Sequence, residues 1–266
     1  MSFKGHYAKE MLYKMLLSSN FPEYKKMIIS DVDVVFLGDV SKSFLEFDDD
    51  DDFYISGVKA NNPNEFFPLN GWKENYKKFS PKELESIQYG VGGGYLLANL
   101  KKWREDNIES KMIDCLQNNT DRLVQAEQDV LNLICYPKIG KLSPAHIVGN
   151  AMWEIYGESW EKYKPNIYSQ DELKNARLNP IQIHYIGVYK PWNTPSVPKS
   201  DIWYKYLSQS PFAKIHLENL ENTIIKKYIK TTLSYRIKSY IKRNPAFLLQ
   251  FKFYIKILQK IKRRIL

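Results

Sequence analysis

Apolar and polar positions alternate along this chain in runs short enough to predict a layered α/β protein. Tyr7 to Ser18 carries Met11, Leu12, Met15 and Leu16 at helical spacing and predicts a first helix. Asn20, Pro22 and Glu23 then turn the chain into an apolar run. Lys26 to Ser30 and Val34 to Leu37 read as two short strands by their β-branched and apolar density, and Phe53 to Val58 as a third. Gly90, Gly92, Gly93 and Gly94 predict a turn before an apolar strand, Tyr95 to Ala98. Gln125 to Cys135 predicts a helix start with Val130, Leu131, Leu133 and Ile134 buried. Residues 136–182 are rich in Pro, Asn, Gly and aromatics and read as long loops over one face.

From Leu220 the period changes to a sustained helical one. Ile224, Ile225, Tyr228, Ile229, Leu233, Ile237, Tyr240 and Ile241 recur among lysines and arginines, and Pro245 ends that segment. A second amphipathic stretch follows from Phe247 to Ile261. The expected division is therefore a body, residues 1–215, and a helical tail, residues 216–266.

Charge sharpens this division. The net charge is +9, yet residues 220–266 hold 13 Lys/Arg against one acid, and the rest holds 26 basic against 29 acidic residues. The basicity belongs to the tail, where it suits an anionic membrane surface. Nucleic acid is the competing partner for an aromatic and basic stretch, but no nucleic-acid module is visible and none is expected to bind. At 44% hydrophobic residues, the 266-residue chain has the material for a substantial core. No window nears 18 apolar residues and no secretory leader is visible, so a cytoplasmic protein, peripheral on the inner membrane face, is expected. Two cysteines, Cys115 and Cys135, lack metal-ligand spacing and predict no disulfide framework.

Candidate chemistry begins at the end of the first strand. Asp31 and Asp33 flank Val32, and in extended backbone residues two apart point the same way, so both carboxylates can face one point. Such a pair is either a solvated turn or a seat for a hard divalent cation with its phosphate. The acidic run Asp48 to Asp52 lacks a spaced ligand pattern and reads as a solvated loop. Downstream stand GVGGGYLLANLKKWRE, AEQDVLN and IHYIGVYKPW. In that order, behind an Asp-x-Asp, these segments resemble glycosyltransferase family 8, retaining enzymes with a bacterial lipopolysaccharide glucosyl- and galactosyltransferase branch. The resemblance runs from about Tyr7 to about Trp192.

The resemblance implies a GT-A-type mixed-sheet α/β/α sandwich, a UDP-sugar donor, Mn²⁺ or Mg²⁺, and a lipid-linked or lipopolysaccharide acceptor. It implies metal ligation by Asp31, Asp33 and His184, with Val32 between the carboxylates lining the donor site. Gly187 would let backbone approach the phosphates and Lys190 would supply a cation to them. Glu127, Gln128 and Asp129 match an Asp-Gln-Asp element near the reactive carbon. Gln128 would steady an oxocarbenium-like centre or orient the acceptor, and Asp129 would act as nucleophile or orient its neighbours. Gly93 and Gly94 belong to the donor-facing glycine segment, where Gly92 stands in place of a donor-binding Asn. Lys9 stands where relatives carry an arginine for the nucleotide. Relatives begin with further strands that cradle uracil and ribose, so an N-terminally incomplete domain is expected. The alternative to a working enzyme is a degenerate member that binds membrane or a partner without turnover.

Overall fold

A computed structural model describes residues 9–59, 76–150 and 167–244, together with positions 254, 255 and 259; of Lys9 it describes the backbone alone. The chain divides into two compact units, Met1–Trp203 and Tyr204–Leu266.

The first unit is built on two sheets. A 3-10 segment, Lys9–Met15, and a short helix α1, Leu17–Asn20, lead into strand β1, Lys26–Ser30. The expected single helix is thus two pieces. Strand β2 is Val34–Phe36, helix α2 Ser41–Glu46 and strand β3 Ile55–Lys59. Helix α3, Pro81–Gln88, carries a Ser80/Glu83 capping box that satisfies its first free N–H groups. Strand β4 is Val91–Asn99, followed by helices α4, Leu100–Glu105, α5, Ile108–Asn119, and α6, Ala126–Cys135.

The glycine cluster is therefore strand, not turn. Gly92, Gly93 and Gly94 lie inside β4, of whose nine residues all but Gly92 are buried. The region expected to be loop also holds regular structure: strand β5, Ile139–Lys141, a 3-10 turn Pro144–His146, strand β6, Val148–Gly149, and helix α7, Gln170–Leu178. These pieces are too short to show a period of their own. Strand β7, Gln182–His184, ends at the predicted histidine, and helix α8 is Ser200–Ser208.

The larger sheet runs β1-β4-β3-β5, antiparallel except for the β3/β5 pair, and the smaller runs β2-β7-β6. Along β4, Leu96 and Ala98 face a core completed by Trp103, Ile108, Met112, Val130 and Leu131 from α4–α6. Tyr95 and Leu97 point the other way, against Phe47 and its partly buried neighbours. This period-2 alternation, apolar on both faces, is what a central strand requires. Cys115 and Cys135 are unpaired thiols.

Among the described residues the second unit holds the end of α8 and helices α9, Ala213–Thr231, and α10, Leu233–Arg243; in α9 and α10 no residue is buried. Thr232 caps α10 by accepting the Tyr235 N–H. The stretch after Pro245 lies outside the described residues except at Tyr254, Ile255 and Gln259. Among the described residues no helix is long and apolar enough to cross a membrane.

Candidate active site at the junction of the sheets

The site forms where the chain leaves one sheet for the other. The Asp31 N–H donates to the Gly94 carbonyl at 3.2 Å, extending the β1/β4 pairing. Two residues later the Asp33 carbonyl accepts the Tyr185 N–H at 3.0 Å, which starts the β2/β7 pairing. In that pairing Val34 lies opposite His184, so strand register carries the imidazole beside the two carboxylates. Gln182, fully buried two residues before His184, stitches the sheets by donating to Ser30 Oγ at 2.9 Å and the Gly94 carbonyl at 3.2 Å.

Asp31, Asp33 and His184 converge: one ligand atom from each lies within 4.8 Å of the others. His184 Nε2 stands 3.4 Å from Asp31 Oδ2 and 3.1 Å from Asp33 Oδ1. Two hard oxygens and an imidazole make a mixed donor set that suits Mn²⁺ better than Mg²⁺. Val32, between the two aspartates, is 99% exposed and leaves the carboxylates open to approach.

Lysines complete the cluster. Lys14 Nζ pairs with Asp31 Oδ1, donates to the Gly93 carbonyl at 2.9 Å and lies 3.4 Å from Glu127 Oε1. Lys190 Nζ pairs with Asp33 Oδ2 and also donates to the Tyr185 carbonyl. Burial would raise the Asp33 carboxyl, but hydrogen bonds from His184 and Lys190 outweigh it and hold the group far below the usual carboxylate range. The Lys190 ammonium, expected beside phosphate, pairs here with the Asp33 carboxylate.

The glycines have specific neighbours. A Cβ on Gly94 would stand 2.7 Å from His184 Nδ1, so only glycine lets the imidazole lie against β4. On Gly93 it would stand 3.3 Å from Glu127 Oε1, whereas on Gly92 it would meet only ordinary contacts. Gly187 has φ +86° and open space around it, which leaves its backbone accessible next to the site.

The Glu-Gln-Asp element begins α6 and is positioned by a tight turn. Ala126 adopts φ +32°, a conformation costing an L-residue about 1 kcal/mol. The Asp129 carboxylate holds this turn by accepting the Val124 and Gln125 N–H groups at 2.7 and 2.8 Å. Its other oxygen accepts the Tyr76 hydroxyl at 2.7 Å. Gln128 accepts the Gly93 N–H at 2.9 Å. Glu127 is buried, and its Oε2 has no hydrogen-bond partner among the described residues. Burial pushes both the Glu127 and Asp129 carboxyls above their ordinary values, against the groups that donate to them.

Two of these residues escaped the sequence reading. Tyr76 sits 53 residues before its partner, with no local signal. Lys14 did carry one: a lone lysine inside an apolar run. It is buried together with Met15 and Ser18, one and four residues on. The expected nucleotide contact at Lys9 rests on a side chain outside the described residues. The acidic loop is solvated surface, in which Lys138 pairs with Asp52 at 2.7 Å and Lys25 with Asp49 at 3.8 Å.

The chain belongs to glycosyltransferase family 8, whose family profile (Glycosyl transferase family 8) matches residues 2–195. It is 24% identical over 218 residues to General stress protein A of Bacillus subtilis, covering 79% of this chain and 69% of that protein. It is 26% identical over 159 residues to the lipopolysaccharide 1,3-galactosyltransferase of Salmonella typhimurium, covering 57% of this chain and 42% of that enzyme. Its fold is that of GT-A-type enzymes. The galactosyltransferase LgtC, solved with donor and acceptor sugar analogs, superposes with TM-score 0.55 at 16% identity over 75% of this chain and 66% of LgtC. The bifunctional glycosyltransferase WbbM gives TM-score 0.61 at 18% identity over 81% of this chain and 38% of WbbM. The chain thus spans from under half to about two thirds of the length of these relatives.

Proposed function

We propose that this glycosyltransferase moves a hexose, glucose or galactose, from a UDP-sugar to a lipopolysaccharide or other cell-surface glycan, with retention and with Mn²⁺ or Mg²⁺. The observation that carries the reading is the convergence of Asp31, Asp33 and His184 beside Glu127 and Gln128. Asp31, Asp33 and His184 would hold the cation, which supplies Lewis-acid neutralisation of a departing diphosphate. Lys190, paired with Asp33, and the open backbone at Gly187 would contact that diphosphate.

The unpartnered Glu127 Oε2 is a buried acceptor that a donor hydroxyl would satisfy. Gln128, with its carbonyl tied to Gly93, keeps its NH₂ to orient donor or acceptor oxygens. Of the two roles open to Asp129, its three donors favour orientation: a carboxylate that holds a strained turn is not free to attack.

Calorimetric titration of UDP into the chain, with Mn²⁺ and then with EDTA, tests the site. Binding that requires Mn²⁺ and disappears in Asp33→Ala is the expected result. A folded chain that binds no UDP would sink the enzymatic reading and leave that of a non-catalytic family member.

The second unit supports a membrane role. Ile224, Ile225, Tyr228, Leu233, Ile237 and Tyr240 are exposed apolar groups interleaved with Lys226, Lys227, Lys230, Arg236, Lys238 and Lys242. Each cation near an anionic leaflet contributes about 1 kcal/mol, enough together for reversible docking on the inner face of the cell membrane. Sedimentation with phosphatidylglycerol vesicles but not phosphatidylcholine vesicles is expected. Equal pelleting with both would remove the electrostatic argument.

A further inference from the structure

We propose that Asn132 is a positioning residue for sugar transfer: it sets the place of helix α6 along strand β4, and with it the place of Glu127 and Gln128 over the donor sugar. The inference rests on the reading of those two side chains as the ones that meet the sugar.

Asn132 is 1% exposed and spends its amide on a single residue of β4. Its Oδ1 accepts the Val91 N–H at 2.8 Å, and its Nδ2 donates to the Val91 carbonyl at 3.0 Å. Gln128, four residues earlier in α6, accepts the Gly93 N–H at 2.9 Å. Residues four apart on a helix share a face at a rise of about 6 Å, and residues two apart on a strand are separated by about 6.8 Å. The two amides therefore meet alternate residues of the strand at matched spacing, with helix and strand running in opposite directions. One contact at Gln128 would let the helix pivot, whereas two fix it. A slip of one turn would carry Gln128 about 5.4 Å along the helix axis, away from Gly93.

The strand is shaped for this contact. A Cβ on Gly90 would stand 2.4 Å from Asn132 Cγ, so a side chain there would push the amide off Val91. The same helix carries Glu127, whose buried Oε2 has no partner among the described residues. Asp31, Asp33, His184 and Lys190, the groups read as meeting cation and diphosphate, all lie outside α6. Displacing α6 therefore weakens the hold on the sugar and spares the nucleotide. An amide with a merely structural role would weaken both alike.

The test is calorimetric titration of UDP, UDP-glucose and UDP-galactose into the full chain with Mn²⁺, for wild type, Asn132→Ala and Gly90→Ala. Both variants should lose on the order of tenfold in affinity for the UDP-hexose that wild type binds, the worth of about one hydrogen bond, and keep their affinity for UDP within about twofold. Asn132→Asp keeps the side-chain volume and the acceptor for the Val91 N–H but sets an acceptor against the Val91 carbonyl, so it answers the question if the alanine variants misfold. Folded variants that lose UDP and UDP-hexose equally, or lose neither, would overturn the positioning role and leave the glycosyltransferase reading standing. A wild-type chain that binds UDP but neither UDP-hexose would overturn the sugar contact on which the role depends. One that binds no UDP at all would overturn the enzymatic reading itself.

Discussion

The Asp-x-Asp turn and the Glu-Gln-Asp turn each carry two carboxylates and each touch the glycine strand, through Asp31 at Gly94 and Glu127 at Gly93, yet they treat charge in opposite ways. At the first, Asp31 and Asp33 keep 23% of their side chains exposed and have lysines against them. At the second, Glu127 and Asp129 are 3% and 1% exposed, and burial drives both carboxyls upward. A carboxylate meant for a cation has to stay ionised and reachable. One that shapes a turn can be sealed in, provided that donors meet its oxygens. Asp129 has three such donors, whereas Glu127 Oε2 has none among the described residues. Within the second turn, then, one acid is consumed by structure and the other keeps an oxygen with no partner among the described residues.

Four measurements would break or sharpen this contrast. Asp33→Ala should reduce Mn²⁺-dependent UDP binding by more than the roughly 10–100-fold that changes outside the ligand shell cost. Asp33→Ala also leaves His184 and Lys190 without their carboxylate, so its urea midpoint should fall as well. Asp129→Ala should act mainly on the fold, destabilising it by about 2 kcal/mol as the Val124, Gln125 and Tyr76 donors lose their acceptor. If Asp129→Ala instead kept its thermal midpoint and lost only turnover, the residue would belong to the chemistry and the contrast would fail. Gly94→Ala should weaken Mn²⁺ by on the order of tenfold, through the 2.7 Å approach to His184, while Gly92→Ala should alter neither affinity nor stability appreciably.

The smallest effect concerns pH. Glu127 has a folded-state pKa above its unfolded one, so between those values the folded state binds more protons. Stability contributed by this group is therefore greatest at low pH and falls as pH rises from about 4.5 through the folded value. Comparing urea midpoints of wild type and Glu127→Gln from about pH 4.5 upward should show a steeper decline in the wild type than in the variant, in which the raised Asp129 carboxyl still contributes. Asp33 has the opposite sign. Its stabilisation is complete above the usual carboxylate range and is lost only as pH falls well below it.

Much of this molecule was legible because it is local. The apolar run Lys26–Ser30, the helix from Ala126, the break at Asp31-Val32-Asp33 and the amphipathic tail all announce themselves within a few residues. The ordered motifs pointed to a family and so to His184, which no local pattern separates from an ordinary core histidine. The glycine segment was misread as a turn because glycine clusters usually break strands. Here Gly92, Gly93 and Gly94 continue the strand β4, and Glu127 and His184 lie against Gly93 and Gly94. Lys14 shares a buried face with Met15 and Ser18, and its partners Gly93 and Glu127 lie 79 and 113 residues away, beyond any local pattern.

By itself, then, the sequence determined the short strands, the positions of the acids and the separation of a basic tail from a faintly acidic body. These follow from side-chain period and charge, which act over one or two turns of chain. Only the tertiary structure decided which groups meet: Asp33 with His184 and Lys190, and Lys14 with Asp31, Gly93 and Glu127. Those meetings join residues separated by tens to more than a hundred positions. They depend on the pairing register of β1 with β4 and of β2 with β7, where a slip of one residue would turn each side chain to the opposite face.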